Sequence, residues 1–338
     1  MPTSSSPPSG SACSRPPTGR TRKATSDERP SLPARRTLML IRIGTRGSAL
    51  ARTQSASIAT RIEAAGHQTE TVIIRTQGDK DQVRPFAEVG APGLFVREIE
   101  SALIDERIDL AVHSFKDLPT VSPPELTIAA MPERVDPADL LLLAGGALEA
   151  GAGMLPLREG ATVGTASLRR EKLLAEIRPD LKVESLRGNV PTRVRRLKDG
   201  DYDAILLAAA GLARLRAAGE TSLDLDGIEV VRLDPSVFVP APSQGALALQ
   251  ARASHREVLA AVAPLHQVDA ARAVLAEREL QRLVEGGCQL PFGAWCRTLS
   301  DGTLKLHAVI DRGTGLRRAE AEGNDPLALA RRVFETLE

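Results

Sequence analysis

The feature that most constrains this chain is an alternation of strand and helix patterns that begins at Leu40 and then starts again. "LIRIG" (40–44) reads as a strand and 48–65 as a helix stopped by Gly66; 69–76 reads as a second strand. A loop over 77–93 precedes a helix over 94–107 and strands over 109–114 and 126–131. The same order returns with a strand at 161–164, a helix at 166–177, a strand at 181–186, a helix at 190–200 and a strand at 202–210. Gly44-Thr45 and Gly164-Thr165 each close a first strand and open a helix near a serine. Such alternation predicts βαβ units with parallel sheets covered on both faces. The fold expected is α/β: two doubly wound domains, like those of periplasmic binding proteins, with a cleft between them. A helix at 269–284, strand patterns such as 304–310 and a helix at 325–337 form a small third α/β domain. The boundaries expected are 39–133 plus 243–264, 134–242 and 265–338.

Residues 1–38 stand apart. They are rich in Ser, Pro and Arg, carry no hydrophobic period, and hold seven basic and two acidic residues. They read as a disordered and dispensable extension. The apolar core of a secretory signal is missing, while a transit peptide could look like this. The localisation expected is cytoplasmic, with plastid targeting by residues 1–38 as the alternative. Beyond residue 38 the balance is 37 basic against 41 acidic residues. A slightly acidic body with one Tyr and one Trp is a poor nucleic-acid binder. No run approaches eighteen apolar residues, so no membrane partner is expected. Three cysteines (Cys13, Cys288 and Cys296) and five scattered histidines fit neither a disulfide framework nor a metal site.

In open α/β sheets, ligands bind beyond the carboxyl ends of strands, at helix N-termini. Arg46, Arg169, Arg170, Arg187, Arg193 and Arg214 all fall at strand-to-helix turns, each read as next to a helix N-terminus. One or two could pair with nearby acids. Six at one topological edge point to a polyanionic ligand, and the guanidinium fork suits carboxylates. Ser114, Lys116 and Asp117 follow a strand end in the same cleft. Asp117, among cations, should stay ionised and can stabilise developing positive charge. Cys288 sits in "EGGCQLP", where it is either buried filler or a nucleophile. From the residues alone, the reading stops at an anionic ligand, a carboxylate and a thiol.

"GTRGSALA", "VHSFKDLP", "VGTASLRR", "SLRGNVPTR", "AAAGLARL", "SQGALAL" and "EGGCQLPFGA", in this order, resemble hydroxymethylbilane synthase, also called the porphobilinogen deaminase family. The resemblance runs from Leu40 to about Ala308. It implies a monomeric transferase that links four porphobilinogen molecules head to tail with loss of ammonia, then releases hydroxymethylbilane by hydrolysis. It further implies a dipyrromethane cofactor bound through the sulfur of Cys288, and Asp117 as the catalytic carboxylate. Arg46, Ser48, Lys116, Arg169, Arg170, Arg187, Arg193 and Arg214 match positions that hold carboxylates, and Ser114, Thr165 and Ser167 match polar contacts. Gln54 and Gln244 are expected to be scaffold or hinge residues. Departures from the family pattern are Glu88 and Pro92 where lysines are common, Ala166 for a serine, and Pro191 for a small residue. A periplasmic-type binding protein or a ligand-sensing regulator also suits two α/β domains, but neither needs Cys288. An Arg-rich RNA-associated protein finds support mainly in residues 1–38.

Overall fold

In a computed structural model of the chain, the described residues are 38–75, 96–149, 153–284 and 290–338. The expectations for the N-terminal extension, for Glu88 and Pro92, and for Cys288 lie outside the described residues. The chain opens with β1 (Leu40–Thr45) and α1 (Ala49–Ala64), whose first turn is capped by the Ser48 hydroxyl accepting from Ala51 N at 3.3 Å. There follow β2 (Gln68–Ile73), α2 (Arg97–Ile104), β3 (Leu110–Ser114), a single 3-10 turn at Phe115–Asp117, and β4 (Leu126–Ala130). The second half runs β5 (Asp139–Leu143), β6 (Thr162–Gly164), α3 (Leu168–Ile177), β7 (Lys182–Glu184), α4 (Val190–Lys198), β8 (Ala204–Ala208), α5 (Ala209–Ala217) and β9 (Glu229–Arg232). Pro191, a departure from the family pattern, sits in the first turn of α4 behind the Asn189 cap. A missing N–H costs nothing there.

The chain then returns with β10 (Leu247–Arg252) and α6 (Arg256–Val262), and closes with α7 (Val268–Val284), β11 (Phe292–Thr298), β12 (Leu304–Asp311), β13 (Leu316–Gly323) and α8 (Pro326–Leu337). The first sheet has the order β2-β1-β3-β10-β4 and the second β7-β6-β8-β5-β9, while β11-β12-β13 form an antiparallel sheet backed by α7 and α8. This is the α/β architecture expected, with one correction. The two large sheets are mixed, not wholly parallel. β10 runs antiparallel to β3 and β4, and β5 antiparallel to β8 and β9. The reason is the path of the chain: each reversed strand is the first one laid down after a crossing between sheets.

Four of the five strands in each sheet run the same way and leave their carboxyl ends on one side, and β1 and β6 each carry a glycine at or next to that end for the same reason. A Cβ on Gly44 would lie 2.2 Å from the Ile108 side chain, and one on Gly164 2.9 Å from the Tyr202 ring. Larger residues would push the strand end off its neighbour. The two crossing segments are tied to the third sheet by Glu277 of α7, which is wholly buried. Its carboxylate takes Arg134 Nη1 at 2.6 Å, Ser243 N at 2.6 Å and Cys296 N at 2.7 Å. Burial raises its pKa, and Arg134 and the two amides work against that rise.

Candidate active site

The site gathers at the carboxyl ends of the parallel strands. β3 delivers Ser114 and then the short turn with Lys116 and Asp117, the latter exposed. The Ser114 hydroxyl meets the Gln54 side-chain amide at 2.9 Å, and a cavity of about 90 Å³ is bounded by Arg46, Ser48, Gln54, His113, Ser114 and Asp117. Ser48 Oγ accepts from its own helix, at Ala51 N. From the second sheet, Thr165 is buried and accepts from Ser167 N at 3.2 Å, which shapes the entry to α3. Arg187 is half-buried just before α4, and Arg193 within α4 donates Nε to Gly188 O at 2.8 Å.

Electrostatics join the two halves. Burial pushes the Arg193 guanidinium down to about 10; the charge of Arg170 adds to that, and Asp117 opposes it. The Lys116 ammonium is likewise held below its ordinary value, first by burial, while Asp117 and Asp139 raise it and Arg170 and Arg169 lower it. Lys116 and Asp117 come from the first sheet, and the arginines from elements of the second. At about 10, the Arg193 guanidinium remains charged at neutral pH.

Arg169 and Arg170 have an acid partner, and the expected placement of Arg214 changes. Arg169 and Arg170 are buried and share the carboxylate of Asp139 through Nη2, at 2.9 and 2.7 Å, while their Nη1 atoms donate to Val239 O and Leu206 O. Burial alone would raise the Asp139 carboxyl; the two guanidiniums and the Gln244 amide overcome it and hold the group well below the usual range. Arg214 is not at a helix N-terminus. Because α5 begins at Ala209, Arg214 falls in its last turn, and its Nη2 donates to Gly245 O at 2.8 Å. Burial lowers it to about 10. Asp139 was missed in the sequence, although an acid heading the apolar run "DLLLL" is a signal for a paired buried charge. Gln244, expected as a scaffold or hinge residue, accepts from Lys116 Nζ at 3.2 Å and donates to Pro137 O and Asp139 Oδ1 at 2.8 and 2.9 Å.

A buried polar chain lies behind β3. His113 Nε2 is 3.0 Å from Gln250 Oε1, and Gln250 Nε2 donates to Glu100 Oε1 at 2.9 Å. Burial pushes the His113 imidazole down to about 4 against the Gln250 hydrogen bond. With a folded pKa below the unfolded one, the unfolded chain takes up the proton first as pH falls. The contribution of this group to stability is therefore complete above about 6.5 and lost as pH falls towards about 4, a change of about 3 kcal/mol. Denaturant unfolding at pH 7 and 4.5 should show a larger loss for the wild type than for His113→Asn. Equal losses would contradict this assignment.

Two requirements of a polycarboxylate cofactor can be checked in these residues. Cationic donors are present in Lys116 and Arg193, and Arg170 Nε is buried with no hydrogen-bond partner among the described residues. An orphaned guanidinium N–H beside the turn of Lys116 and Asp117 fits a carboxylate acceptor. Cys296 does not fit covalent attachment. It is buried on β11 in the core between the C-terminal sheet and its two helices, and burial, aided by the Glu277 carboxylate, pushes its thiol up to about 12. A thiol so protonated is inert.

Residues 41–260 match the family model "Porphobilinogen deaminase, dipyromethane cofactor binding domain", and residues 271–338 match "Porphobilinogen deaminase, C-terminal domain". The chain belongs to the porphobilinogen deaminase family. It is thus an enzyme, a transferase of the porphobilinogen deaminase type. Similar relatives include the porphobilinogen deaminase of Syntrophobacter fumaroxidans, 44% identical over 298 residues, covering 87% of this chain and 91% of that one. That of Roseiflexus sp. is 43% identical over 292 residues, covering 85% and 92%. The chloroplastic porphobilinogen deaminase of Euglena gracilis is 43% identical over 277 residues, covering 81% of this chain and 56% of that one. Among solved structures, the periplasmic VFT2 domain of Bordetella pertussis BvgS aligns with a TM-score of 0.39 and 14% identity over 66% of this chain and 85% of that one. At that level neither fold nor ligand follows from it. No single helix among the described residues is long and apolar enough to cross a membrane.

Proposed function

We propose that the protein is a hydroxymethylbilane synthase, joining four porphobilinogen molecules head to tail with loss of ammonia at each step, on a dipyrromethane held by Cys288. The observation that carries this reading is the meeting of Lys116 and Asp117 from one sheet with Arg170 and Arg193 from elements of the other. Porphobilinogen carries an acetate and a propionate, so a growing chain gathers negative charge. Lys116 and Arg193 bind those carboxylates, with Arg46, Arg187 and Arg214 placed along the same strand-end face. Asp117 accepts the pyrrole N–H. It also stabilises the positive charge that develops as the aminomethyl group leaves as ammonia.

The dipyrromethane, when bound, supplies the pyrrole carbon on which the chain is extended. Cys288 provides the sulfur that holds it, since a thiolate is the side-chain nucleophile suited to an electrophilic methylene. The burial of Cys296 leaves it no such role. Arg169 and Arg170 enter as a pair neutralised in part by Asp139, which fixes their forks before any ligand arrives. The domain division that goes with this reading is 39–133 plus 243–264, 134–242 and 265–338; the pairing of β10 with β3 and β4 supports its discontinuous first member. Incubation with porphobilinogen should release one ammonia for each porphobilinogen consumed and yield a linear tetrapyrrole. Consumption without ammonia would contradict the reading.

A further inference from the structure

The turn that carries Lys116 and Asp117 is three residues long, too short for its own hydrogen bonds to hold it. Two other segments grip it. Phe115 N donates to Ala246 O at 3.1 Å, in the second crossing segment. On the other side stands Arg278 of α7, next to Glu277. Its Nη1 donates to Leu118 O at 3.1 Å and more weakly to Phe115 O at 3.4 Å, and its Nη2 donates to Pro119 O at 2.5 Å. The guanidinium carbon also lies 4.3 Å from the centre of the Phe115 ring. One side chain thus holds the carbonyls before and after Lys116-Asp117 and covers the ring that roots the turn in the core. Among the described residues, no carboxylate forms an ion pair with Arg278. Carbonyl dipoles and a ring face answer its charge.

We propose that Arg278 is a positioning residue for the reaction, which sets the place of Asp117 by clasping the carbonyls on both sides of it. Arg278 meets no reacting group and acts through Asp117 alone, so the inference rests on the reading of Asp117 given above. Lysine is a poor substitute, since a single ammonium cannot reach three carbonyls and stack on a ring together. The arrangement also links the catalytic turn to the helix that leads into the Cys288 segment, since α7 ends at Val284.

A mutant cycle on the holoenzyme tests this. Arg278→Met should lower kcat tenfold or more with KM within threefold of wild type and melting temperature within a few degrees. Arg278→Lys, which keeps charge and length, should still lose most of that factor; it also serves if the Met variant folds poorly. The deciding arm is the double variant. In an Asp117→Ala background, Arg278→Met should change kcat less than twofold, because the group it positions is gone. A tenfold loss in both backgrounds, or full activity in Arg278→Lys, would overturn the inference and leave the role of Asp117 standing. Wild-type turnover in Asp117→Ala alone would overturn that role and the inference with it.

Discussion

Replacing Asp117 with alanine should lower turnover by about two to four orders of magnitude, the range expected for a positioned charged group. The cause is electrostatic. Loss of ammonia from an aminomethylpyrrole leaves positive charge on the ring. The surroundings, Lys116, Arg170 and Arg193, are cationic and would oppose it. Asp117 is the anion on the turn itself, whereas the other nearby carboxylate, Asp139, is buried and already committed to two arginines. Removing an exposed carboxylate should leave the melting temperature almost unchanged. The loss should therefore appear in kcat and not in stability. Turnover within threefold of wild type would remove Asp117 from the mechanism.

How much of this was legible in the sequence depends on what each residue type reveals locally. β1, β3, β6 and β8 with the helices between them were readable because strand and helix periods alternate with clear stops. β5 was not. "DLLLL" is buried at every position, and a uniformly apolar run carries no period. β10 and β9 escaped because pairing partners brought in by a second crossing are non-local. For the same reason the reversal of β5 and β10 could not be read from element order.

At the site, the arginines at strand ends pointed to the correct face, but their partners did not show. Arg169 and Arg170 are adjacent in the chain, whereas Asp139 reaches them from a separate strand some thirty residues away. Arg278 lay on a helix read only as part of the small third domain. Only the fold brings its guanidinium to the Asp117 turn. Motif order identified the family, while the burial of Cys296 sets that cysteine aside as an attachment point. Nothing in the spacing alone told that Cys296 lies in a core.

The largest effect should come from the sulfur. Cys288→Ser should yield a protein with little activity, because a hydroxyl is a far weaker nucleophile than a thiolate at neutral pH. Cys296→Ser should instead act on stability, through a buried thiol exchanged for a hydroxyl that must find a partner. The intact mass of the purified wild-type protein tests covalent attachment of the dipyrromethane most directly. It should exceed the mass of the chain by one dipyrromethane unit, with the excess confined to the peptide containing "EGGCQLPFGAW" and absent from Cys288→Ser. An active wild-type protein of unmodified chain mass would contradict that attachment.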